Sequence, residues 1–293
     1  MKTIVQTMRV PFLILPPTCV VVGVACAYRL GVSISAVDVV LILLGALLAH
    51  ISVNMLNEYQ DYRSGLDSCT IRTPFSGGSG ALPSQPEAAN AVLLGALATL
   101  VGVAAIGFWF ALRVPVILPL GALGGVIILT YTRQINRSPW MCLIAPGLSF
   151  GLLMVLGTTL VLAERIDTAT ILAALVPFFL VNNLLLLNQF PDLEADAAHG
   201  RKHFPIQYGI AASVRMYRVL SFATAGVIVL AVGRGDWPLW SLLALLPWTL
   251  TLVSAKGASE YGKTIGQQPQ FMAMNVVATV VTPLVLGVTL FLG

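Results

Sequence analysis

Apolar stretches of about 20 residues recur from one end of the chain to the other, and a helix needs about that many to cross the hydrocarbon of a bilayer. They fall at 10–30, 36–57, 88–110, 113–132, 139–163, 168–190, 211–233, 236–255 and 268–292. The longest polar interruption, 58–87, is too short to hold a soluble domain. Only 10% of the residues are charged and 57% are hydrophobic, whereas soluble domains carry about a quarter charged. The fold class that follows is all-α: a polytopic membrane protein with nine transmembrane helices, residues 1–293 forming a single integral membrane domain.

The basic residues set an expected orientation. Twelve of them (Lys2, Arg9, Arg63, Arg72, Arg133, Arg137, Arg201, Lys202, Arg215, Arg218, Lys256 and Lys263) fall at the N-terminus or in the loops after spans two, four, six and eight. Four, Arg29, Arg113, Arg165 and Arg234, fall on the other side. Basic loops stay inside, so the expectation is a cell-membrane protein with a cytoplasmic N-terminus and a C-terminus on the opposite face. The net charge of +4 then reflects topology and gives no reason to invoke nucleic acid, and no obligate protein partner is implied. Cys19, Cys26, Cys69 and Cys142 have no CxxC spacing and read as small apolar fillers rather than a disulfide or zinc framework. The first apolar run follows Lys2 and Arg9 as in a signal peptide, but it is of full membrane length without a small-x-small cleavage site, so it reads as a retained span.

Two of the basic-side loops also carry acids. Span two ends in NMLNEYQDYRSGLD, residues 54–67, and span six ends in NQFPDLEADAAHGRKHFP, residues 188–205. Both contain Asn-x-x-x-Asp, as Asn57 to Asp61 and Asn188 to Asp192, and the second continues to Asp196. Spacing of four stacks side chains on one helical face, so each cluster is expected to present an amide and at least one carboxylate in a column. Carboxylates at membrane depth are costly and mark function, although acids can also simply end a helix in headgroup water. Two facing carboxylate groups repel unless a cation lies between them. Magnesium suits that place, because it takes oxygen ligands and shares them with a substrate phosphate; calcium takes the same ligand type, but the sequence has no EF-hand loop. Arg72, Arg201 and Lys202 follow the acids, either as grips for phosphate oxygens or as positive-inside anchors. Between the clusters, TPFSGGSGALPSQ (73–85) is either a flexible connector or a lid whose glycine amides approach an anion.

These residues resemble the UbiA superfamily of intramembrane prenyltransferases. The resemblance rests on Asn57-Glu58-x-x-Asp61 with Asp67 beyond, and on Asp192-x-x-x-Asp196-x-x-x-Gly200-Arg201-Lys202. It is joined by Arg9-Val10-Pro11-Phe12 at the start, Tyr131-Thr132 after span four and Gly151 to Gly157 in span five. Gly65-Leu66-Asp67 resembles the ending used by the branch that prenylates dihydroxynaphthoate on the route to menaquinone. The chain departs from the family pattern at Glu58, where Asp is usual, and at His203, usually Thr. It departs again at Leu143, Ile144 and Ala145, where menaquinone-type members have an acidic residue.

The resemblance implies a helical bundle around a central cavity open to the cytoplasmic side. It implies transfer of an isoprenoid chain from a polyprenyl diphosphate to an aromatic or other lipophilic acceptor, with Mg2+ as cofactor. The implied metal ligands are Asn57, Asp61, Asp67, Asn188, Asp192 and Asp196. Asn54, Glu58, Arg72, Tyr131, Arg201 and Lys202 are implied to bind substrate, with Asp61, Asp192, Arg72 and Lys202 central to catalysis. Tyr59, Tyr62, Phe75, Tyr131, Phe150 and Phe190 are candidate ring faces for stabilising a cation, with plain packing the more ordinary reading of each. A terpene cyclase of the same superfamily is the alternative; an ion-coupled transporter is a weaker rival, because the acids lie at helix ends rather than at the midplane.

Other patterns carry less. GASEYGKT (257–264) matches the phosphate-binding GxxxxGK[ST] pattern but joins two spans, where that motif needs a strand before it. Asn136-Arg137-Ser138 is a glycosylation sequon on an expected cytoplasmic loop. Gly121-x-x-x-Gly125 and Gly147-x-x-x-Gly151 are expected to let helices pack closely. His50, one turn before Asn54, reads as a satisfied buried imidazole rather than a metal ligand, and Asp38 as a helix-end residue.

Overall fold

The computed structural model describes residues 2–293. Nine apolar helices dominate it: α1 (Val10–Arg29), α2 (Ala36–Ser64), α3 (Pro86–Ala111), α4 (Ile117–Thr130), α5 (Pro139–Ala163), α6 (Thr168–Asn188), α7 (Phe204–Gly233), α8 (Leu239–Gln267) and α9 (Pro269–Leu292). Eight are long and apolar enough to cross a bilayer. The ninth, α4, has 14 residues, which is about 21 Å of helix, because the chain turns through Pro115 before the helix begins. Among the described residues there is no strand, as expected where every backbone polar group must be satisfied within the membrane.

Burial separates the helices into two kinds. Over the apolar window of α6, 67% of residues are buried, against 11% for α2 and α3, so α6 is the central post. It packs against α1, α5, α7 and α9 through one core that includes Leu15, Val22, Val155, Leu180, Ile228 and Leu286. The outer faces of α3 and α4 expose Leu94, Val101, Trp109, Leu118 and Val126; in a bilayer these are the lipid-facing side chains.

Lipid offers no hydrophobic drive between helices, so contact depends on small residues and interhelical hydrogen bonds. Gly147 and Gly151 meet the backbone of Phe178 on α6 so closely that a Cβ at either would collide with it. This pair packs helices as its spacing predicts. The Gly147 amide also donates to Asn182 Oδ1 at 2.6 Å, and the next seven residues, Leu148–Met154, wind as a π-helix. Polar ties join the posts: Asn183 Nδ2 donates to the Tyr217 carbonyl at 3.0 Å, and Tyr217 Oη donates to Asn275 Oδ1 at 2.7 Å. Gly121 and Gly125 behave differently, because nothing lies within 4 Å of a Cβ placed on either. They line an internal cavity instead of a helix contact.

The discounting of the phosphate-loop pattern and the helix-end reading of Asp38 both hold, and span two proves longer than its apolar run. Residues 257–264 are helical, forming the end of α8, and Gly257 lies against the Phe271 ring; they form no phosphate loop. Asp38 is held by both terminal nitrogens of Arg113, at 2.8 and 3.1 Å. α2 continues to Ser64, seven residues beyond the apolar run, so Asn57, Glu58 and Asp61 all stand on the helix.

Candidate functional site

A cavity of about 410 Å³ runs between the helices, and its character changes along its length. One end is polar, lined by Arg9, Asn57, Asp61, Asp67, Asp192 and Asp196 among others. The rest is lined by apolar and small residues of α2, α3, α4 and α5, such as Ala46, Ile106, Gly121 and Leu153.

The α2 half of the polar end is built by periodicity. Asn57 and Asp61 are one helical turn apart, and Asn57 Nδ2 donates to Asp61 Oδ2 at 2.9 Å and to Thr132 Oγ1 at 3.1 Å. Gly65, with φ +83°, ends the helix in the left-handed conformation that glycine adopts freely. That turn brings the buried Asp67 back to the cavity. Asn54 also lines the cavity, with its Nδ2 donating to the Met8 carbonyl at 3.0 Å.

The α6 half is not the expected column. α6 ends at Asn188, and the chain turns through 189–192 before a short helix at Leu193–Ala198. Pro191 lacks an N–H and excludes the preceding residue from helix, so the spacing of four spans a break. Even so, Asn188, Asp192 and Asp196 all reach the cavity. Asp196 is fixed on both oxygens, by Arg201 Nη1 at 2.8 Å and by His203 Nε2 at 2.8 Å.

The cation between the two halves is a guanidinium. Arg201 spans Asp196 and Asp61, its Nη2 donating to Asp61 Oδ1. Burial alone would lower its pKa, but the two facing carboxylates outweigh that and raise it. Arg9 performs the same service on the α2 side. Its backbone is left-handed at φ 52°, and it donates from Nε to Glu58 Oε1 at 2.8 Å and from Nη2 to Asn57 Oδ1 at 3.2 Å.

Loop 73–85 closes over both halves. Gly77 N donates to Asp192 Oδ2 at 3.0 Å, while Ser79 binds Glu58 twice, N to Oε1 at 2.8 Å and Oγ to Oε2 at 2.6 Å. Phe75, Ser76, Gly77 and Gly78 line the cavity, which supports the lid over the connector. The lid's tight curvature rests on Gly77 and Gly78, at φ +82° and +73°.

Not every expected site residue arrives. Lys202 is exposed, and its backbone amide donates to the Asn136 carbonyl at 2.9 Å; its side chain does not line the cavity. Arg72 is exposed and does not line the cavity either, donating from Nη2 to the Asp67 carbonyl at 2.9 Å. Glu58 is completely buried but turned into the Arg9–Ser79 clasp rather than to the cavity. Tyr131 and Arg201 do line it. Of the other candidate rings, Phe75 and Phe150 face the cavity, whereas Tyr59, Tyr62 and Phe190 pack in apolar clusters.

The residues present suit a hard divalent cation. No three His, Cys, Asp or Glu side chains gather around one point among the described residues, so an ion here would need amide oxygens and phosphate as well. Three buried oxygens around the cavity, Asp67 Oδ2, Asn188 Oδ1 and Asp192 Oδ1, have no hydrogen-bond partner. Oxygen donors of this kind, shared with a substrate phosphate, are what magnesium takes. Burial and neighbouring charge shift the two carboxyls among these groups. Burial, with Glu58 and Asp61 nearby, pushes the Asp67 carboxyl up to about 7 against the pull of Arg9 and Arg72. Burial and Asp196 push Asp192 up to about 6, opposed by the Gly77 amide and Ser76.

Residues 14–277 match the model of the UbiA prenyltransferase family. The chain belongs to that family. It is 28% identical over 262 residues to the 1,4-dihydroxy-2-naphthoate octaprenyltransferase of Bacillus subtilis strain 168, covering 86% of this chain and 79% of that protein. It is 29% identical over 204 residues to the enzyme of the same name from Haemophilus influenzae, covering 66% of this chain; the match spans 64% of that relative's length, just under two thirds. Among solved structures, the fold resembles that of a UbiA homolog from Archaeoglobus fulgidus bound to DMAPP and Mg2+, with a TM-score of 0.67 at 15% identity, covering 99% of each chain. It also resembles a digeranylgeranylglyceryl phosphate synthase, with a TM-score of 0.70 at 14% identity, covering all of this chain and 99% of that one.

Within this UbiA chain, sequence reasoning passed over two cavity residues. Arg9 was visible only as an anchor and as part of the opening motif, and its ion pair with Glu58 joins segments 49 positions apart. His203 stood out only as a departure from the family pattern. Its contact with Asp196 is created by the turn at 199–203, which no local spacing reveals.

Proposed function

We propose that this UbiA-family protein transfers a polyprenyl chain from its allylic diphosphate to a dihydroxynaphthoate-type aromatic acceptor, in a magnesium-dependent reaction. The observation that carries this reading is the two-ended cavity: oxygen ligands and guanidinium groups at one end, an apolar sleeve at the other. A prenyl diphosphate is divided in the same way. The names of the two curated relatives support the acceptor class. The charge distribution supports a cytoplasmic N-terminus and a single membrane domain with the polar end on the inner face.

In this reading Asn57, Asp61, Asp67, Asn188, Asp192 and Asp196 hold the cation. When bound, magnesium neutralises the diphosphate oxygens and makes diphosphate a better leaving group. Arg201 and Arg9 stabilise the charge that grows on the departing oxygen as the allylic C–O bond breaks and diphosphate leaves with the electron pair. Loop 73–85, held to Asp192 and Glu58, keeps water from the allylic cation. Phe75, Tyr131 and Phe150 present ring faces or edges along its path. An electron-rich ring carbon of the acceptor then bonds to the allylic carbon and gives up the group it carried there, either a proton taken by the departed diphosphate or a carboxylate lost as CO2.

The test is prenyl transfer by purified protein in lipid nanodiscs, with and without magnesium, across a panel of aromatic acceptors. Transfer that requires the metal and prefers a dihydroxynaphthoate is expected. A cyclic hydrocarbon formed without acceptor would replace this reading with a terpene cyclase.

A further inference from the structure

His50 is a polar residue of the cavity that the metal–diphosphate reading leaves unused. It stands on α2 seven residues before Asn57, about 10 Å deeper along the helix axis, and it lines the same cavity. It is 6% exposed. Its Nδ1 is sealed from solvent and has no hydrogen-bond partner. Nε2 likewise has none among the described residues but is not sealed, and the cavity is where it has access. The sequence expectation of a satisfied imidazole therefore fails. A buried imidazole without partners is costly to keep, and at membrane depth such a residue marks a site for a ligand.

Its surroundings say which ligand. His50 lies where the α2 face of the cavity changes character: Asn54, Asn57 and Asp61 line it toward the mouth, and Ala49, Ala46 and Gly45 line it beyond. The Phe150 ring meets the imidazole edge-on, with centroids 4.9 Å apart and planes at 81°. Phe150 is held there by the π-helical turn Leu148–Met154. A single imidazole nitrogen beside an aromatic ring, between a polar mouth and an apolar sleeve, suits a flat aromatic molecule that carries a hydroxyl.

We propose that His50 Nε2 hydrogen-bonds a ring hydroxyl of the aromatic acceptor and so sets both its position and its identity. This rests on the prenyl-transfer reading and adds to it the group that recognises the acceptor. His50 is a positioning and specificity residue, with no part in diphosphate binding.

The test compares the unaltered protein with His50→Phe, which keeps a ring but removes the hydrogen bond, and His50→Gln, which restores one. Kinetics are measured with 1,4-dihydroxy-2-naphthoate and with each of the two naphthoates that lack one of its hydroxyls, and prenyl diphosphate binding is measured separately by calorimetry without acceptor. His50→Phe is expected to raise the acceptor KM about tenfold, the worth of one such hydrogen bond. It should leave kcat and prenyl diphosphate affinity close to unaltered, and His50→Gln should recover part of the loss. For one of the deoxy acceptors the difference between the unaltered protein and His50→Phe should vanish. An unchanged acceptor KM in His50→Phe, or an equal loss for all three acceptors, overturns the role of His50 while transfer by the unaltered protein stands. No transfer by the unaltered protein to any acceptor, with prenyl diphosphate still bound, overturns the functional reading and this inference together. Unchanged prenyl diphosphate binding in the variant also shows that it is folded.

Discussion

The two halves of the polar end contain similar residues at similar spacing but are built in opposite ways. On α2 the helix itself does the work: Asn57 and Asp61 stay in register because nothing interrupts the backbone from Ala36 to Ser64. On the α6 side the helix stops, and Asp192 and Asp196 are aimed by a break at Pro191 and by partners from elsewhere, Gly77, Arg201 and His203. The first half is rigid by local structure, the second by long-range contacts. A repeated motif therefore need not mean a repeated geometry, and the two halves should fail differently when disturbed.

The largest effect should come from removing either central acid. Asp61→Ala and Asp192→Ala are each expected to lower prenyl transfer by about a hundredfold or more, as loss of an electrostatic group at a reacting centre does. Full activity in both would remove the site from this end of the cavity. Next in size is Glu58→Ala. Breaking a buried pair by deleting one partner strands the other; with Arg9 partly exposed, the low end of that range applies, about 3 kcal/mol of stability. The same change frees Ser79, so limited proteolysis should cut loop 73–85 faster. Cleavage at an unchanged rate would show that Glu58 does not hold the lid.

Acidity distinguishes the halves more gently. Asp67 belongs to the α2 half and Asp192 to the α6 half, with carboxyls raised to about 7 and about 6. A cation competes with protons for such groups, so its half-saturating concentration should fall as pH rises from about 5.5 to about 8. Ligand-free stability has the opposite sign. A carboxyl raised above its unfolded value favours the fold while protonated, and that contribution is lost as pH rises through about 6 and 7. Thermal unfolding without magnesium should therefore weaken over this window, with added magnesium opposing the loss; a flat profile would mean the two acids are already paired. The smallest expected effect is at Lys202. Because its side chain is exposed and off the cavity, Lys202→Ala should change activity less than about twofold, within the range of surface substitutions, whereas Arg201→Ala should be far more damaging.

What could be read in the sequence follows the same division. The helices, the basic-residue asymmetry and the Asn57–Asp61 column all come from periodicity and composition, which a single chain displays openly. The Gly147–Gly151 contact was legible for the same reason, yet the identical spacing at Gly121 and Gly125 turned out to face open space. Spacing says that two glycines share a face, not which neighbour that face meets. Arg201 illustrates the other limit. Its sequence context suggested a phosphate grip, but its place between Asp61 and Asp196 depends on a contact across 140 positions. His50 was legible as buried and illegible as unpartnered, because partners are a property of the packed bundle.

Gly121 and Gly125 have one more consequence. Their Cβ positions are empty to 4 Å, so side chains added there would take volume from the sleeve without pushing any helix aside. With the prenyl tail of the substrate lying along that wall, the bare stretch of α4 leaves the accepted tail length open to adjustment. Alanine, valine and leucine at Gly121 would then act as successively nearer stops, each shortening the longest tail accepted while the chemistry at the far end goes on unchanged.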